Sequence, residues 1–109
     1  MTTIRIYKDK TGAYKGFQCR DHAGSGEYGF DIVCASISVL TINTVNSLEQ
    51  LTKDTFDLTQ EETIGLIQVI FHDTLSEAGK LLMDSYVLGL DSIQEEYGTS
   101  YIQVFYKEV

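Results

Sequence analysis

Apolar residues in this chain follow two different spacings, and the order of those spacings limits the folds that the chain can adopt. Alternating apolar and polar residues predict strands, whereas apolar residues at steps of three and four predict helices. The strand segments are 3–8, 13–20, 54–58, 63–71 and 100–106, and the helical segments are 32–52 and 74–97. The turn sequence Asp9-Lys10-Thr11-Gly12 joins the first two strands into a hairpin. The order ββαββαβ predicts an α/β (α+β) sandwich of two layers, with two long helices on a mixed sheet.

The segment 63–71 is apolar on both of its faces. One face carries Ile64, Leu66 and Ile70, and the other carries Ile67, Val69 and Phe71. Such a strand is typical of a sheet centre, with a helix over one face and a second cover over the other. A partner subunit could supply the second cover, so we expect a two-fold homodimer formed through the uncovered sheet face or its edge. The alternative is a monomer with one helix on each face.

Capping residues and apolar spacing together set the predicted helix limits. Asp31 is an N-cap residue by type, so the first helix is expected to begin directly after it, with Cys34 as its third residue. Its inner face is predicted to carry Val33, Ile37, Leu40, Leu48 and Leu51. Thr74 to Glu77 has the spacing of a capping box for the second helix, which Gly98 ends. The inner stripe of that helix is predicted to be Leu82, Tyr86, Gly89 and Ile93.

The charge balance restricts the partners. The 109 residues suit one domain spanning 1–109, and they carry a formal net charge of −8 from 16 acidic and 8 basic side chains. No cluster of Lys and Arg is present, so direct binding to nucleic acid is not expected. An acidic surface favours encounter with a basic partner, although it also serves solubility alone. No signal-peptide pattern or apolar run of spanning length is found, so we expect a cytoplasmic protein without a membrane partner.

Cys34 and His22 are the candidate catalytic pair. Near a helix start, backbone N–H groups and the helix dipole favour the nucleophilic thiolate, and the N–H of Cys34 itself is an expected oxyanion donor. His22 lies where the second strand meets the loop that returns to this helix, so it could act as the base. Asp31 either caps the helix or orients His22, and Ser38 either donates a hydrogen bond near the sulfur or bonds its own helix backbone. The alternative is an inert, packed Cys34.

A dinucleotide site is a weaker interpretation of the loop before the first helix. Gly24-Ser25-Gly26-Glu27-Tyr28-Gly29 has the letters of a G-x-G-x-x-G fingerprint, and Asp54 or Asp57 could bind a ribose. All three glycines precede the helical pattern, whereas the third glycine of a true fingerprint packs its helix against the strand. Mobility of the loop explains these glycines better.

Metal and redox sites also fit the sequence poorly. A zinc site would have to combine His22, His72 and the two cysteines, which include no closely spaced ligand pair. A redox pair of Cys19 and Cys34 lacks the C-x-x-C spacing, and both thiols should be reduced in a cytoplasmic protein. We expect Cys19 to be packed on its strand and His72-Asp73 to belong to a loop or cap. No metal or organic cofactor is expected.

The stretch from His22 to Ser38 resembles the signature of the ribosomal-processing cysteine protease family (Prp, YsxB-like). His22-Ala23, a short loop, and Asp31-Ile32-Val33-Cys34-Ala35-Ser36-Ile37-Ser38 are similar to its pattern G-H-A followed by D-I-V-C-A-x-x-S. Gly29 stands two residues before the aspartate, as in the family. The likeness continues more weakly through the second helix and the final strand. One position departs, because Asp21 replaces the family glycine before the histidine and so reduces the expected flexibility of the loop.

This resemblance implies a homodimeric protease without a metal or cofactor. Family members remove a short N-terminal extension from a large-subunit ribosomal protein, number twenty-seven. By position, Cys34 would be the nucleophile and His22 the base, whereas Asp31 and Ser38 occupy motif positions with less defined roles. The loop that would close over the substrate contains Ala23, Gly24, Gly26 and Gly29. A basic ribosomal precursor would suit the acidic surface. The rival hypothesis is a non-enzymatic, dimeric ribosome-assembly or scaffold protein.

Overall fold

The computed structural model describes the backbone of residues 1–21 and 28–109 and the side chains of residues 1–20 and 32–109. Over these residues the elements follow the predicted order ββαββαβ. They are β1 (Thr2–Lys8), β2 (Tyr14–Asp21), α1 (Tyr28–Leu51), β3 (Phe56–Glu61), β4 (Leu66–Phe71), α2 (Glu77–Tyr97) and β5 (Ile102–Glu108). Two long helices and one mixed five-stranded sheet confirm the predicted fold class. β3 and β5 both extend further along the chain than their alternation indicates.

β2 is the central strand of the sheet, which has the order β3-β4-β2-β1-β5. β1 pairs in parallel with β5, and the other neighbours are antiparallel. The prediction that 63–71 forms the sheet centre is therefore wrong, because β4 is second from the edge. β4 also begins only at Leu66, since Glu62–Ile64 form a 3-10 turn that ends at Gly65 in the left-handed conformation (φ 58°).

Both helices pack on the same face of the sheet and form one core with it. The core residues are Val33, Ile37, Val45 and Leu48 from α1, Met83, Tyr86 and Leu90 from α2, and Ile4, Ile6, Tyr14, Phe17, Cys19, Val69, Phe71 and Ile102 from the strands. The Tyr86 hydroxyl lies 2.9 Å from the Thr41 hydroxyl, so a buried hydrogen bond joins the two helices. The prediction that Leu51 belongs to the inner face of α1 is wrong, because 71% of this residue is exposed.

The other face of the sheet is covered by neither helix and carries a row of polar side chains. The Arg5 guanidinium donates to Gln18 Oε1 at 3.1 Å, and the Gln18 amide donates to Gln68 Oε1 at 2.9 Å. These bonds connect β1, β2 and β4 across the face. Ile70 of β4 and Phe105 of β5 are 40% and 46% exposed, so apolar groups flank a polar centre. The surface is more polar than the apolar pattern of 63–71 suggests.

The start of α1 differs from its prediction. The helix begins at Tyr28, so Asp31 is its fourth residue, not its N-cap, and Cys34 is its seventh. The error arises because apolar spacing marks the part of a helix that packs, and the helical backbone can begin before that part. At position seven, a backbone N–H is bonded to the carbonyl four residues earlier, and the dipole has faded. The expectation that the Cys34 N–H is an oxyanion donor is therefore wrong.

The N-cap of α2 is also two residues later in the chain than the predicted one, Thr74. Ser76 is the N-cap, and its hydroxyl accepts a hydrogen bond from the Gly79 N–H at 3.1 Å, so a capping box from Thr74 to Glu77 is wrong. The carboxylate of Asp54, which lies before β3, accepts from the Ser76 N–H at 2.9 Å and from the Ser76 hydroxyl at 2.7 Å. A residue distant in sequence thus supplies the second half of the cap. The predicted end at Tyr97, followed by Gly98 with φ 93°, is confirmed.

The length and hydropathy of α1 contradict the expectation that no apolar segment reaches spanning length. Ile32–Leu51 comprises 20 residues with a mean hydropathy of 1.3, enough to cross a membrane by length and composition alone. The Ser, Thr and Asn residues within it interrupt the apolar letters, so a search for unbroken apolar runs misses it. In the structure Ile37 and Leu48 pack against the sheet, which is the position of a core helix.

Candidate active site

Cys34 lies beside a cleft of about 310 Å³ between the first half of α1 and the sheet. From α1 the cleft is lined by Cys34, Ile37, Ser38 and Ile42, and from the strands and the β3–β4 turn by Thr2, Cys19, Gln60, Glu61, Glu62, Gly65, Leu66 and Ile67. The Cys34 sulfur is 3.5 Å from the hydroxyl oxygen of Thr2, and either group can be the donor. Cys34 is partly exposed, so the cleft gives a reagent access to its sulfur.

The helical repeat places Cys34 and Ser38 on the same wall of the cleft, because residues four apart lie one turn from each other. Ile37 is buried between α1 and the sheet, and it fixes the side of the helix that faces the strands. The opposite wall ends at the β3–β4 turn. Gly65 allows that turn to be tight because its left-handed conformation strains other residue types. The cleft is thus formed by packed elements on both sides.

The described part of the cleft wall contains acidic but no basic side chains. Glu61 and Glu62 lie at the β3–β4 turn, and the Thr63 hydroxyl donates to a Glu61 carboxylate oxygen at 3.2 Å. These carboxylates give the cleft a negative potential that attracts cationic groups.

The structure unites only some of the predicted site residues. Cys34 and Ser38 line the same cleft. His22, Ala23, Gly24 and Gly26 lie outside the described residues. Asp31 and Gly29 belong to the first two turns of α1.

Two further residues of the cleft were not among the predicted site residues. Thr2 contacts the Cys34 sulfur although 32 positions separate them, and no local sequence pattern marks such a contact. Cys19 is buried in the core, as predicted, and also lines the cleft. The sequence did contain a signal for Cys19. Cys19 alternates with Phe17 on β2, so its side chain was expected on the face of the sheet that the helices cover.

The remaining candidate residues have structural partners elsewhere. His72 lies with Nδ1 2.9 Å from the Thr55 hydroxyl and Nε2 2.9 Å from an Asp57 carboxylate oxygen, which ties the end of β4 to β3. Asp54 caps α2 and Asp57 contacts His72, so both predicted ribose ligands have structural partners among the described residues. Among the residues that the structure describes, no group of three His, Cys, Asp or Glu side chains could hold a metal ion.

Comparison with known proteins assigns the chain to a family. The sequence model of the family described as "Cysteine protease Prp" matches residues 1–103. The chain belongs to the Prp family of cysteine proteases. The ribosomal processing cysteine protease Prp of Staphylococcus aureus (strain Mu50) is 31% identical over 107 residues, which cover 98% of this chain and 100% of the relative. The resemblance found in the sequence is thereby confirmed.

Solved structures agree with this assignment. The S. aureus Prp protease in complex with a substrate peptide has a TM-score of 0.90 at 30% identity, over 98% of this chain and 100% of the relative. The same protease with a covalently linked product peptide has a TM-score of 0.87 at 31% identity, with the same coverage. SMU.848 from Streptococcus mutans is similar over 100% of this chain and 96% of its own, with a TM-score of 0.84 at 32% identity. The Prp fold is therefore shared along nearly the whole chain.

Proposed function

We propose that this member of the Prp family is an endopeptidase that removes a short N-terminal extension from large-subunit ribosomal protein number twenty-seven. Cys34 is its nucleophile. The observation that carries the proposal is the partly exposed thiol of Cys34 on a cleft of about 310 Å³. The S. aureus relative, in complex with a substrate peptide, supports a peptide as the occupant of such a cleft.

His22 is the proposed general base. Thr2 and Asp21 are opposite each other in the β1–β2 ladder, and the Thr2 hydroxyl contacts the Cys34 sulfur. His22 follows Asp21 directly, so the chain leaves the sheet beside the position of the thiol. This backbone path supports a Cys34–His22 dyad.

The reaction is an acyl transfer from the peptide to sulfur and then to water. His22 takes the thiol proton, the Cys34 sulfur attacks the scissile carbonyl carbon, and His22 returns the proton to the leaving amine. Water activated by His22 then cleaves the thioester and releases the new carboxylate. The donors that stabilise the oxyanion must come from groups other than the Cys34 N–H, which belongs to the interior of α1.

Supporting roles are proposed for the neighbouring motif residues. Ser38, one turn beyond Cys34 on the cleft wall, contributes a hydroxyl that can bond to the peptide. Asp31, in the first turn of α1, orients His22. Ala23, Gly24 and Gly26 belong to the proposed loop that closes over the substrate, whereas the assignment of Gly29 to that loop is wrong because Gly29 is the second residue of α1. No metal or organic cofactor takes part in this scheme.

The proposed substrate is basic. Glu61 and Glu62 on the cleft wall, and the net charge of −8 over the whole chain, favour a cationic precursor over an anionic one. The same charge disfavours direct binding to nucleic acid. We place the reaction in the cytoplasm, where ribosomal precursors are made, without a membrane partner.

We also propose a two-fold homodimer that buries the uncovered face of the sheet. The support is the face itself, where Ile70 and Phe105 flank the polar row of Arg5, Gln18 and Gln68. Sedimentation at micromolar concentration tests this: a particle of about twice the 12.2 kDa chain mass is expected, and a species that stays at 12.2 kDa would contradict it.

Cleavage of a peptide that spans the extension and the mature N terminus of the ribosomal protein tests the enzymatic proposal. Cys34→Ala and Cys34→Ser should abolish cleavage without changing the thermal unfolding midpoint. Cys19→Ala, which removes the other thiol of the cleft, is the matched control and should keep cleavage. Cleavage near the unmodified rate by either Cys34 variant would exclude Cys34 as the nucleophile. No cleavage by the unmodified protein, with slow Cys34 alkylation at neutral pH, would favour the scaffold hypothesis.

A further inference from the structure

The contact between Thr2 and Cys34 joins the first strand to the first helix. Thr2 is 1% exposed, and its hydroxyl oxygen lies 3.5 Å from the Cys34 sulfur. The Thr2 backbone is fixed on both sides, because Thr2 pairs with Asp21 of β2 and with Ile102 of β5, and its N–H donates to the Tyr101 carbonyl at 2.9 Å. The hydroxyl is therefore held by the sheet, independently of the helix that carries the thiol.

The Thr2 hydroxyl is a group that can stabilise a thiolate at Cys34. Cys34 is the seventh residue of α1, too far along the helix for unpaired N–H groups or the dipole to stabilise a charge strongly. Glu61 and Glu62 line the same cleft, and its described wall contains no basic side chain that would stabilise an anion. A hydrogen bond to the charged sulfur contributes to the stability of the thiolate, and bonds to ionised groups are the stronger ones.

We propose that Thr2 is a positioning residue that holds the Cys34 sulfur and stabilises its thiolate. A hydroxyl can rotate, so the same pair of atoms serves both protonation states. The thiol donates to the Thr2 oxygen in the neutral state, and the Thr2 hydroxyl donates to the sulfur once His22 has taken the proton. This inference rests on the proposed role of Cys34 as nucleophile.

The adjacent threonine provides a matched control. Thr3 is 8% exposed, so its burial is similar, but it is paired with Arg20 and Gln103 and faces the opposite side of the sheet from Thr2. Thr2→Val and Thr3→Val each replace one buried hydroxyl by a methyl group of similar size at neighbouring positions of β1. Thr2→Ser keeps the hydroxyl and removes only the methyl group.

The experiment measures the rate at which iodoacetamide alkylates Cys34 between pH 5 and pH 10, with labelled peptides mapped by mass so that Cys19 is counted separately. Thr2→Val should move the midpoint of the rate profile upward by about one pH unit and slow labelling at pH 7 roughly tenfold. The rates of Thr2→Val and the unmodified protein should meet at alkaline pH, where both sulfurs are thiolates. Thr2→Ser should restore the original midpoint, and Thr3→Val should leave it unchanged.

Each other outcome contradicts the inference. An unchanged midpoint in Thr2→Val, or an equal shift in Thr3→Val, would show that the Thr2 hydroxyl does not stabilise the thiolate. A rate lowered equally at every pH would indicate lost access, not lost stabilisation. These results would leave the protease proposal intact if the unmodified protein cleaves its peptide. Failure of cleavage with a normal Thr2 effect on labelling would instead contradict the protease proposal alone.

Discussion

The two helices of this protein begin in different ways. At the start of α2, the Ser76 hydroxyl accepts from the Gly79 N–H, and the Asp54 carboxylate accepts two hydrogen bonds from Ser76. The start of α1 follows the segment that contains His22, and the seventh residue of α1, Cys34, lines the cleft. At α2, the N-cap serine accepts from a helix N–H and is itself held by a residue from elsewhere in the chain, whereas the second turn of α1 carries a reactive group on the cleft. Changes at the two starts should therefore affect different properties.

The largest expected effect is that of His22→Ala on catalysis. Loss of the general base should lower kcat/KM about a hundredfold, the usual scale for an acid–base residue, and should slow alkylation of Cys34. The thermal unfolding midpoint should change little, since we assign chemistry to this helix start. His72→Ala is the control, because His72 bonds Thr55 and Asp57. Equal loss of activity in both variants would show that the proposed base is wrongly assigned.

Asp54→Ala should produce the opposite pattern. Loss of the carboxylate removes two hydrogen bonds at the start of α2, which is expected to cost about 1 kcal/mol of the free energy of unfolding and about 4–8 °C in Tm. Cleavage at a temperature well below the unfolding midpoint should stay normal. Differential scanning calorimetry and a cleavage assay on the same sample measure both properties. A normal Tm with reduced cleavage would contradict the assignment of stability to the start of α2 and of catalysis to the start of α1.

Gly79→Ala makes the comparison sharper, because its effect should change sign with the residue at position 54. A Cβ at Gly79 would overlap a carboxylate oxygen of Asp54, so the carboxylate would have to shift and its hydrogen bonds to Ser76 would weaken. In the unmodified chain, this loss opposes the higher helix propensity of alanine, and we expect a net destabilisation of a few tenths of a kcal/mol. In an Asp54→Ala background the overlap is gone, so the same substitution should stabilise by up to about 1 kcal/mol. Equal effects in both backgrounds, measured by urea unfolding, would show no coupling.

The two starts also explain which features the sequence could predict. Local patterns predicted the order of the elements and the end of α2 at Gly98, because backbone conformation and apolar spacing depend on neighbours in the chain. They assigned Cys34 to the first helix but made it the third residue instead of the seventh, and they missed Thr2, since a contact across 32 residues depends on how the strands assemble. The cap at Ser76 was missed for the same reason, because its partner Asp54 is 22 residues away. The central position assigned to 63–71 failed because apolar composition does not determine strand order.

The turn between β1 and β2 provides a purely local reference for these tertiary effects. The Thr11 hydroxyl donates to the Asp9 carboxylate, as do the N–H groups of Thr11 and Ala13. These bonds, led by that of the Thr11 hydroxyl and helped by the charge of Lys15, lower the pKa of Asp9 to about 2 from its ordinary 3.8. All of the partners lie within six positions of Asp9, as a turn sequence predicts.

Asp9→Asn should therefore have the smallest effect, and one that depends on pH. A carboxyl group with a lowered pKa in the folded state contributes stability above its unfolded pKa, here 3.8, and loses it as the pH falls through about 2. The variant should have a lower Tm than the unmodified protein above pH 4, and the two should converge toward pH 2. A constant difference for Asp9→Asn from pH 6 to pH 2 would mean that the carboxylate charge does not stabilise the turn.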